Sequence, residues 1–243
     1  MPYLRSLFFT LLLFVSPLLP CLLIVVSGAL PYRFRIAIAV AWAKRVMWML
    51  NVICGLDYVV EGQENLPGQA AVIMIKHTSA WEVIAQFCIF KNQSWVIKRE
   101  LMWAPFIGWA LLFMRPIPVN RGGGHTAVEQ VVRKGSLRIQ QGMGVMVFPE
   151  GTRMEPGQTR RYGLSGALLA LDVGRPIIPV AHNAGDFWLR RGLLKKPGTI
   201  RLVIGPPIDV TGKEPEALNV EVQGWIESKM GEISSAYDCQ PVS

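Results

Sequence analysis

The sequence predicts an α/β fold, with a largely parallel central sheet flanked by helices, preceded by an N-terminal helical membrane anchor. Two observations predict it. Short apolar stretches of the buried-strand type alternate with helical stretches from about residue 57 onward, which is typical of parallel sheets. Hydrophobic residues make up 51% of the 243 residues, and they concentrate at the N-terminus. This length fits one domain with an anchor.

The anchor is predicted from residues 7–30, which contain no charged side chain. As a helix this stretch is roughly 36 Å long, enough to cross the hydrocarbon core of a bilayer. Pro17 and Pro20 are expected to kink it, so a shallow, re-entrant or hairpin insertion is an alternative. A cleaved signal peptide is a further alternative, but the stretch is longer than a usual apolar signal core.

A second apolar stretch, residues 34–50, is broken by Lys44 and Arg45. It is predicted to lie in the membrane interface, or else to be a core helix of the following domain. One basic residue, Arg5, precedes the first stretch, and several basic residues follow it. Because basic residues concentrate on the cytoplasmic side of a membrane, this predicts that the following domain lies in the cytoplasm, on the inner membrane. We therefore expect an anchor over residues 1–55 and a globular domain over residues 56–243.

The globular part is predicted to hold seven strands and at least three helices. The strands are expected at residues 58–61, 71–75, 95–98, 117–120, 145–148, 177–180 and 200–204. The helices are expected at residues 81–90, 126–140 and 218–235. Residues 101–114 form a further apolar stretch, which we assign to the core, with a groove for a lipid chain as the alternative.

Charge and cysteine content narrow the choice of partner. The formal net charge of +8 favours an acidic partner, and the anchor points to anionic lipid headgroups rather than nucleic acid, for which no motif is present. A merely solvated basic surface is the alternative. The four cysteines are widely spaced, which predicts neither a disulfide framework nor a metal site and agrees with a reducing compartment.

One candidate for acid–base chemistry is His77, which follows the predicted strand 71–75 and precedes Glu82 by five residues. Residues five apart do not face each other on a helix, so His77 must precede the helix for its imidazole to meet the carboxylate. Ser79 and Glu82 have capping-box spacing, which predicts Ser79 at the N-cap. Glu82 is then a helix cap, a partner of His77, or both. His125 and His182 have no carboxylate at local spacing and are expected to be structural.

Two further clusters follow predicted strands. Residues 148–153 read Phe-Pro-Glu-Gly-Thr-Arg, and residues 116–121 form a strand that ends in Arg121 ahead of three glycines. A guanidinium has the fork geometry that binds phosphate. Arg121 and Arg153 are therefore candidates for a phosphate clamp.

These blocks resemble the glycerophosphate acyltransferase superfamily, specifically the 1-acyl-sn-glycerol-3-phosphate acyltransferases. That family has His-x4-Asp, a strand ending in arginine, Phe-Pro-Glu-Gly-Thr-Arg, and a proline-rich strand. Counterparts occur here in the same order, with Glu82 in place of the aspartate and with residues 176–180 as the last block. Arg115 stands where the second block usually opens with glycine. The resemblance covers roughly residues 57–207.

The resemblance implies that the domain transfers an acyl group from an acyl thioester to the sn-2 hydroxyl of lysophosphatidic acid, giving phosphatidic acid. It implies His77 as the general base and Glu82 as the group that orients it. It also implies a set of acceptor-binding residues: Arg121, Glu150, Gly151, Thr152 and Arg153. The thioester, on acyl carrier protein or coenzyme A, is a co-substrate. No cofactor or metal is expected, and membrane phospholipid is an expected partner.

The sequence has three rival interpretations of its function. A serine lipid hydrolase is disfavoured because the sequence around Ser165 does not match the Gly-x-Ser-x-Gly elbow. A catalytically inert scaffold that binds anionic lipid is an alternative from another class. Within the family, another acceptor, such as a lyso-ornithine lipid or a different lysophospholipid, is the alternative.

Overall fold

The computed structural model describes residues 2–120, 122 and 124–237. It confirms the predicted α/β fold with a mostly parallel sheet. The sheet has seven strands in the order β1-β7-β6-β2-β5-β3-β4. They are listed here in chain order: β1 Leu56–Glu61, β2 Val72–Ile75, β3 Gln93–Lys98, β4 Ile117–Val119, β5 Gly144–Val147, β6 Ile177–His182 and β7 Gly198–Ile204.

The helices in chain order are α1 Pro2–Val15, α2 Leu18–Val26, α3 Tyr32–Cys54, α4 Trp81–Ile89, α5 Ile107–Phe113, α6 His125–Gln140, α7 Ser165–Val173, α8 Ala184–Phe187 and α9 Pro215–Ile233. Short 3-10 turns lie at Ser27–Ala29, Gln63–Asn65 and Arg99–Trp103.

All neighbouring strands pair in parallel except β6 and β7, which are antiparallel. Strands β2 to β6 therefore point the same way, and their carboxyl ends meet at one edge of the sheet. This is the edge at which α/β proteins place their functional groups.

Alternating side chains of β2 supply both layers of the core. Ile73 and Ile75 join a cluster formed with α3 and α4, whereas Val72 and Met74 join a cluster formed with α6, α7 and α9. The central strands are buried on both faces, which explains why they read as continuous apolar runs rather than as alternating ones.

The N-terminal segment folds as a helical hairpin. The predicted kink lies at Ser16 and Pro17, where α1 ends and α2 begins. Both helices pack on α3, and the Trp42 indole donates a hydrogen bond to Ser16 Oγ at 3.0 Å. Pro2–Ala29 and Tyr32–Cys54 are each long and apolar enough to cross a membrane by length and composition. These two helical segments indicate membrane association.

The hairpin also docks against the globular part. Phe9 of α1 is fully buried and packs edge-on against Trp188, with 5.7 Å between ring centroids. Ser6 Oγ accepts a hydrogen bond from the Lys195 backbone N–H at 2.9 Å. Helix α3 buries a stripe of side chains and packs against α4 and β1. One face of α3 is therefore part of the core. This agrees with the second of the two expectations for residues 34–50, a core helix of the following domain.

The assignment of residues 101–114 to the core was wrong for half of their apolar side chains. Trp103 is 74% exposed and Leu112 is 65% exposed, whereas Ala110 and Met114 are buried. On α5 the small residues Gly108 and Ala110 are buried, whereas Trp109 and Leu112 point outward.

Candidate active site

The candidate site begins where β2 ends. The Lys76 backbone N–H donates to the Val180 carbonyl at 3.0 Å and continues the ladder between β2 and β6. The chain then leaves the sheet through His77, Thr78 and Ser79 and enters α4 at Trp81. His77 therefore precedes the helix, as the spacing to Glu82 requires, and lies at the carboxyl edge of the sheet.

The imidazole of His77 meets the carboxylate of Glu82. Nδ1 of His77 lies 2.8 Å from Oε1 of Glu82, and both side chains are buried. Backbone N–H groups hold the same carboxylate: Thr78 N donates to Oε1 at 3.1 Å, and Ser79 N donates to Oε1 and Oε2 at 2.9 and 3.1 Å. Glu82 thus orients the imidazole and also binds the turn that precedes its own helix.

The helix cap differs by one residue from the expected one. Ala80 rather than Ser79 occupies the N-cap of α4. Ser79 nevertheless accepts a hydrogen bond from the Trp81 N–H through Oγ at 3.2 Å and donates one to the Trp188 carbonyl at 2.7 Å. The Ser79 hydroxyl therefore links the turn to the segment against which α1 docks.

Electrostatics favour an ionised Glu82. Burial alone would raise its pKa, but His182, the hydrogen bond from His77 and the Ser79 N–H together lower the pKa below its ordinary value. A buried carboxylate that accepts several N–H groups stays charged. It can therefore stabilise a positive charge that develops on the neighbouring imidazole.

His182 supports the site from beneath, in agreement with a structural role. It is fully buried, its Nε2 lies 2.7 Å from the Lys76 carbonyl, and burial lowers its pKa. The expectation that neither remaining histidine has a carboxylate at local spacing was wrong for His125, which has Glu129 four residues on. His182 has no such local partner, but it lies near a carboxylate that is distant in sequence. His182 Nε2 lies 3.8 Å from Glu82 Oε2, and His125 Nδ1 lies 3.2 Å from Glu129 Oε1 on the surface of α6.

The loop after β5, residues 148–154, flanks His77 on two sides. The Phe148 ring packs on the imidazole with 4.1 Å between centroids, and the Met154 N–H donates to the His77 carbonyl at 2.7 Å. Gly151 has a φ of 67°, which lies in the left-handed region that favours glycine. Thr152 and Arg153 are partly exposed on this loop. Arg153 directly precedes Met154, which contacts His77, so Arg153 lies at the edge of the site.

Glu150 of this loop points into the protein rather than toward solvent. Its side chain is fully buried, and Oε1 lies 3.3 Å from the ammonium of Lys76, which is also fully buried. The same ammonium lies 2.7 Å from Glu227 Oε1 on α9 and donates to the Gln158 carbonyl at 3.2 Å. Tyr162 also donates to Glu227, at 2.8 Å.

This buried cluster holds one lysine against two carboxylates. Burial raises the pKa of Glu150 to about 7, even though the charge of Lys76 acts in the opposite direction. The Lys76 ammonium lies closer to Glu227 than to Glu150, so Glu150 is the acid that retains a proton near neutral pH. Sequence reasoning missed Lys76 and Glu227. The one available signal was a lysine at the end of an otherwise apolar strand.

The second arginine proposed for the clamp, Arg121, lies outside the described residues. Its neighbour Asn120 is exposed directly after β4, at the same edge of the sheet as His77. Arg115, which stands where the family usually has glycine, has a φ of 57°. The backbone at this position therefore adopts a conformation that glycine tolerates best.

A cavity of about 320 Å³ opens beside the loop. Its apolar wall comes from β3, β4, β5 and α6, and includes Val96, Val119 and Val131. Its polar end includes Gly151 and Arg160. Among the residues that the structure describes, no group of three or more His, Cys, Asp or Glu side chains is placed to hold a metal ion.

Comparison with known proteins shows the family to which the chain belongs. Residues 57–183 match the family model described as Acyltransferase. The chain is 39% identical over 213 residues to a 1-acyl-sn-glycerol-3-phosphate acyltransferase of Pseudomonas aeruginosa, covering 86% of this chain and 83% of the relative. It is 27% identical over 199 residues to a protein of the same name from Borreliella burgdorferi, covering 79% and 78%.

A solved structure shares the fold. The crystal structure of the 1-acyl-sn-glycerophosphate (LPA) acyltransferase PlsC from Thermotoga maritima superimposes with a TM-score of 0.80 at 20% identity. The match covers 100% of this chain and 98% of that one. The sequence matches and the common fold, taken together, show that the chain belongs to the acyltransferase family that includes the 1-acyl-sn-glycerol-3-phosphate acyltransferases.

Proposed function

We propose that this chain transfers a fatty acyl group from an acyl thioester to the sn-2 hydroxyl of lysophosphatidic acid, giving phosphatidic acid. The observation that carries the proposal is the buried pair of His77 and Glu82, joined at 2.8 Å beside the loop that contains Gly151 and Arg153. The names of the relatives support the choice of acceptor. The thioester is carried by acyl carrier protein or coenzyme A.

The arrangement suits general-base catalysis. Because Nδ1 of His77 is hydrogen-bonded to Glu82, Nε2 is the nitrogen that would take the proton from the acceptor hydroxyl. The hydroxyl oxygen attacks the thioester carbonyl carbon, the C–S bond breaks, and the imidazolium returns the proton to the departing thiolate. Glu82 stabilises the imidazolium, as the carboxylate of a catalytic triad does. General-base assistance contributes about 10²–10⁴ in rate.

We assign the acceptor phosphate to Arg153 and Arg121. Arg153 lies on the loop beside His77, and we propose Arg121 as the second arginine of the clamp from the sequence pattern alone. Gly151 and Thr152 shape the same loop. Glu150, being buried, would act from beneath by fixing the loop to Lys76. The apolar part of the 320 Å³ cavity suits a fatty acyl chain.

We further propose that residues 1–55 anchor the acyltransferase domain, residues 56–243, to the inner membrane, with the domain in the cytoplasm. The two apolar helical segments support the anchor. The basic residues that follow the first segment support the orientation. Membrane phospholipid is then a constant partner, and the acceptor reaches the site from the bilayer.

Acyl transfer by the purified full-length chain in detergent tests the proposal. Lysolipids with and without phosphate, including lysophosphatidic acid and a lyso-ornithine lipid, would each be offered with both acyl carriers, and His77→Ala would serve as the blank. We expect turnover of lysophosphatidic acid that the blank lacks. Turnover of a phosphate-free acceptor alone would overturn the substrate. No turnover of any acceptor would favour a lipid-binding scaffold.

A further inference from the structure

The segment between β3 and β4 presents large apolar side chains to its surroundings. Trp103 is 74% exposed, Trp109 is 52% exposed and Leu112 is 65% exposed. Leu101, Phe106 and Ile107 of the same segment are also exposed. Six such side chains within twelve residues form a patch rather than scattered exceptions, and patches of this kind mark interaction surfaces.

Other helices of the globular part differ. Helix α9 exposes Val220 and helix α6 exposes Leu137 as single large apolar residues. Each is flanked on its helix by charged or polar side chains, as expected for a water-facing helix. The patch on residues 101–112 is therefore a local feature and not a general property of the surface.

The patch is continuous with the N-terminal apolar helices. Helix α5 packs on α2, and the Phe113 ring lies so close to Gly28 that a β-carbon there would be 2.6 Å from it. The Tyr32 hydroxyl donates to the Met114 carbonyl at 3.3 Å, which ties the end of α5 to the start of α3. Helix α2 exposes its own apolar side chains, Leu18, Leu19, Leu22, Leu23 and Val26.

Cations border the patch. Arg99 lies two residues before the patch and Arg115 lies three residues after it, and both are exposed. Arg138 on α6 donates from Nε to the Arg115 carbonyl at 3.1 Å, which brings a third cation to this border. The pKa of Lys134 on the same helix is lowered by burial and then by the charges of Arg133, Arg99 and Arg138. Such crowding is relieved by an anionic partner, and lipid headgroups supply one at a membrane surface.

The patch starts at the active edge. Strand β3 ends at Lys98, and its carboxyl end lies at the same edge of the sheet as His77 and Phe148. A bilayer that covered residues 99–112 would therefore lie next to the site at which a membrane-borne acceptor has to arrive.

We propose that residues 99–114 are a second membrane contact, in addition to the N-terminal hairpin. Trp103, Trp109 and Leu112 enter the interfacial layer of a bilayer, and the neighbouring cations bind anionic headgroups. Tryptophan suits this depth because its ring is apolar and its N–H is polar. The inference concerns membrane docking and does not depend on which acceptor the enzyme uses.

Depth measurement by spin labelling tests this proposal on the full-length chain in vesicles. The four native cysteines would be replaced by alanine, with fold and activity checked, and a label would be placed at Leu112→Cys. A label at Val220→Cys is the matched control, because Val220 is 72% exposed on α9. Vesicles of phosphatidylcholine with phosphatidylglycerol would be compared with phosphatidylcholine alone.

We expect the label at position 112 to be accessible to oxygen and shielded from a water-soluble nickel complex, with the reverse at position 220. We also expect shallower insertion without phosphatidylglycerol. Equal nickel accessibility at the two positions would overturn the proposal. Shielding from both reagents together with spin–spin broadening would identify a second copy of the chain as the occupant instead. Unchanged depth without anionic lipid would overturn the role assigned to the cations.

Discussion

At the scale of single residues, the site depends on how two buried acids are held. Glu82 accepts hydrogen bonds from two backbone N–H groups in addition to its contact with His77. His182, the His77 hydrogen bond and the Ser79 N–H together lower its pKa and keep it ionised. Glu150 lies 3.3 Å from the Lys76 ammonium, which it shares with Glu227, and burial raises its pKa. Glu82, which contacts His77, and Glu150, which contacts the preceding residue Lys76, therefore differ in protonation, as is common for acids at functional sites.

Glu150 should make the stability of the protein depend on pH. Its pKa is about 7 in the folded protein against 4.5 for an unperturbed glutamate, so between these values the folded state binds the extra proton. The free energy of unfolding therefore falls as pH rises through this window. The side chain in Glu150→Gln cannot ionise. We therefore expect this variant to lack that fall in the free energy of unfolding, which is on the order of 2 kcal/mol.

Melting temperatures at pH 5, 6, 7 and 8 would check this prediction. Glu64→Gln is the matched control, because Glu64 is exposed. This variant should leave the dependence of melting temperature on pH unchanged. If Glu150→Gln and the unmodified chain lost stability in parallel across this range, Glu150 would not be the group that retains the proton.

At the scale of elements, close helix contacts set the positions of the strands that carry the site. Gly135 on α6 faces Leu169 on α7, and a β-carbon at Gly135 would be only 2.6 Å from Leu169 Cδ2. Leu169 is fully buried and has little room to move. The two helices cover the face of the sheet behind β2 and β5, so this contact fixes their approach.

Gly135→Ala is expected to destabilise the fold by about 1–3 kcal/mol, because an overpacked contact outweighs the better helix propensity of alanine. Gly224→Ala on α9 is the matched control. It has no atom within 4 Å of the added β-carbon and should stabilise the fold by about 0.5–1 kcal/mol. Denaturant unfolding measures both. A Gly135→Ala variant as stable as Gly224→Ala would disprove the tight contact.

At the scale of the whole molecule, the sequence predicted the sheet well because apolar strands bounded by polar residues are a local signal. All seven expected strands occur within two residues of their predicted limits. The pairing of His77 with Glu82 could also be predicted, since they are only five positions apart and the sequence between them indicated a turn. Helix α7 was not predicted, because its alanine- and leucine-rich stretch has little amphipathic pattern.

Other features were beyond local reasoning. Lys76 and Glu227 are 151 positions apart, so no spacing rule brings them together. The orientation of α5 was misassigned because apolar content does not distinguish a side chain that faces the core from one that faces lipid. Both features depend on how distant segments pack, which only the folded chain displays.

The most direct test of the account is the single-turnover rate of acyl transfer to lysophosphatidic acid by His77→Ala, with His125→Ala as control. His125 is exposed on α6. We predict a rate lowered by about 10²–10⁴ for His77→Ala, in a variant whose melting curve shows it to be folded, and an unchanged rate for His125→Ala. A folded His77→Ala variant within about twofold of the unmodified enzyme would contradict general-base catalysis at His77.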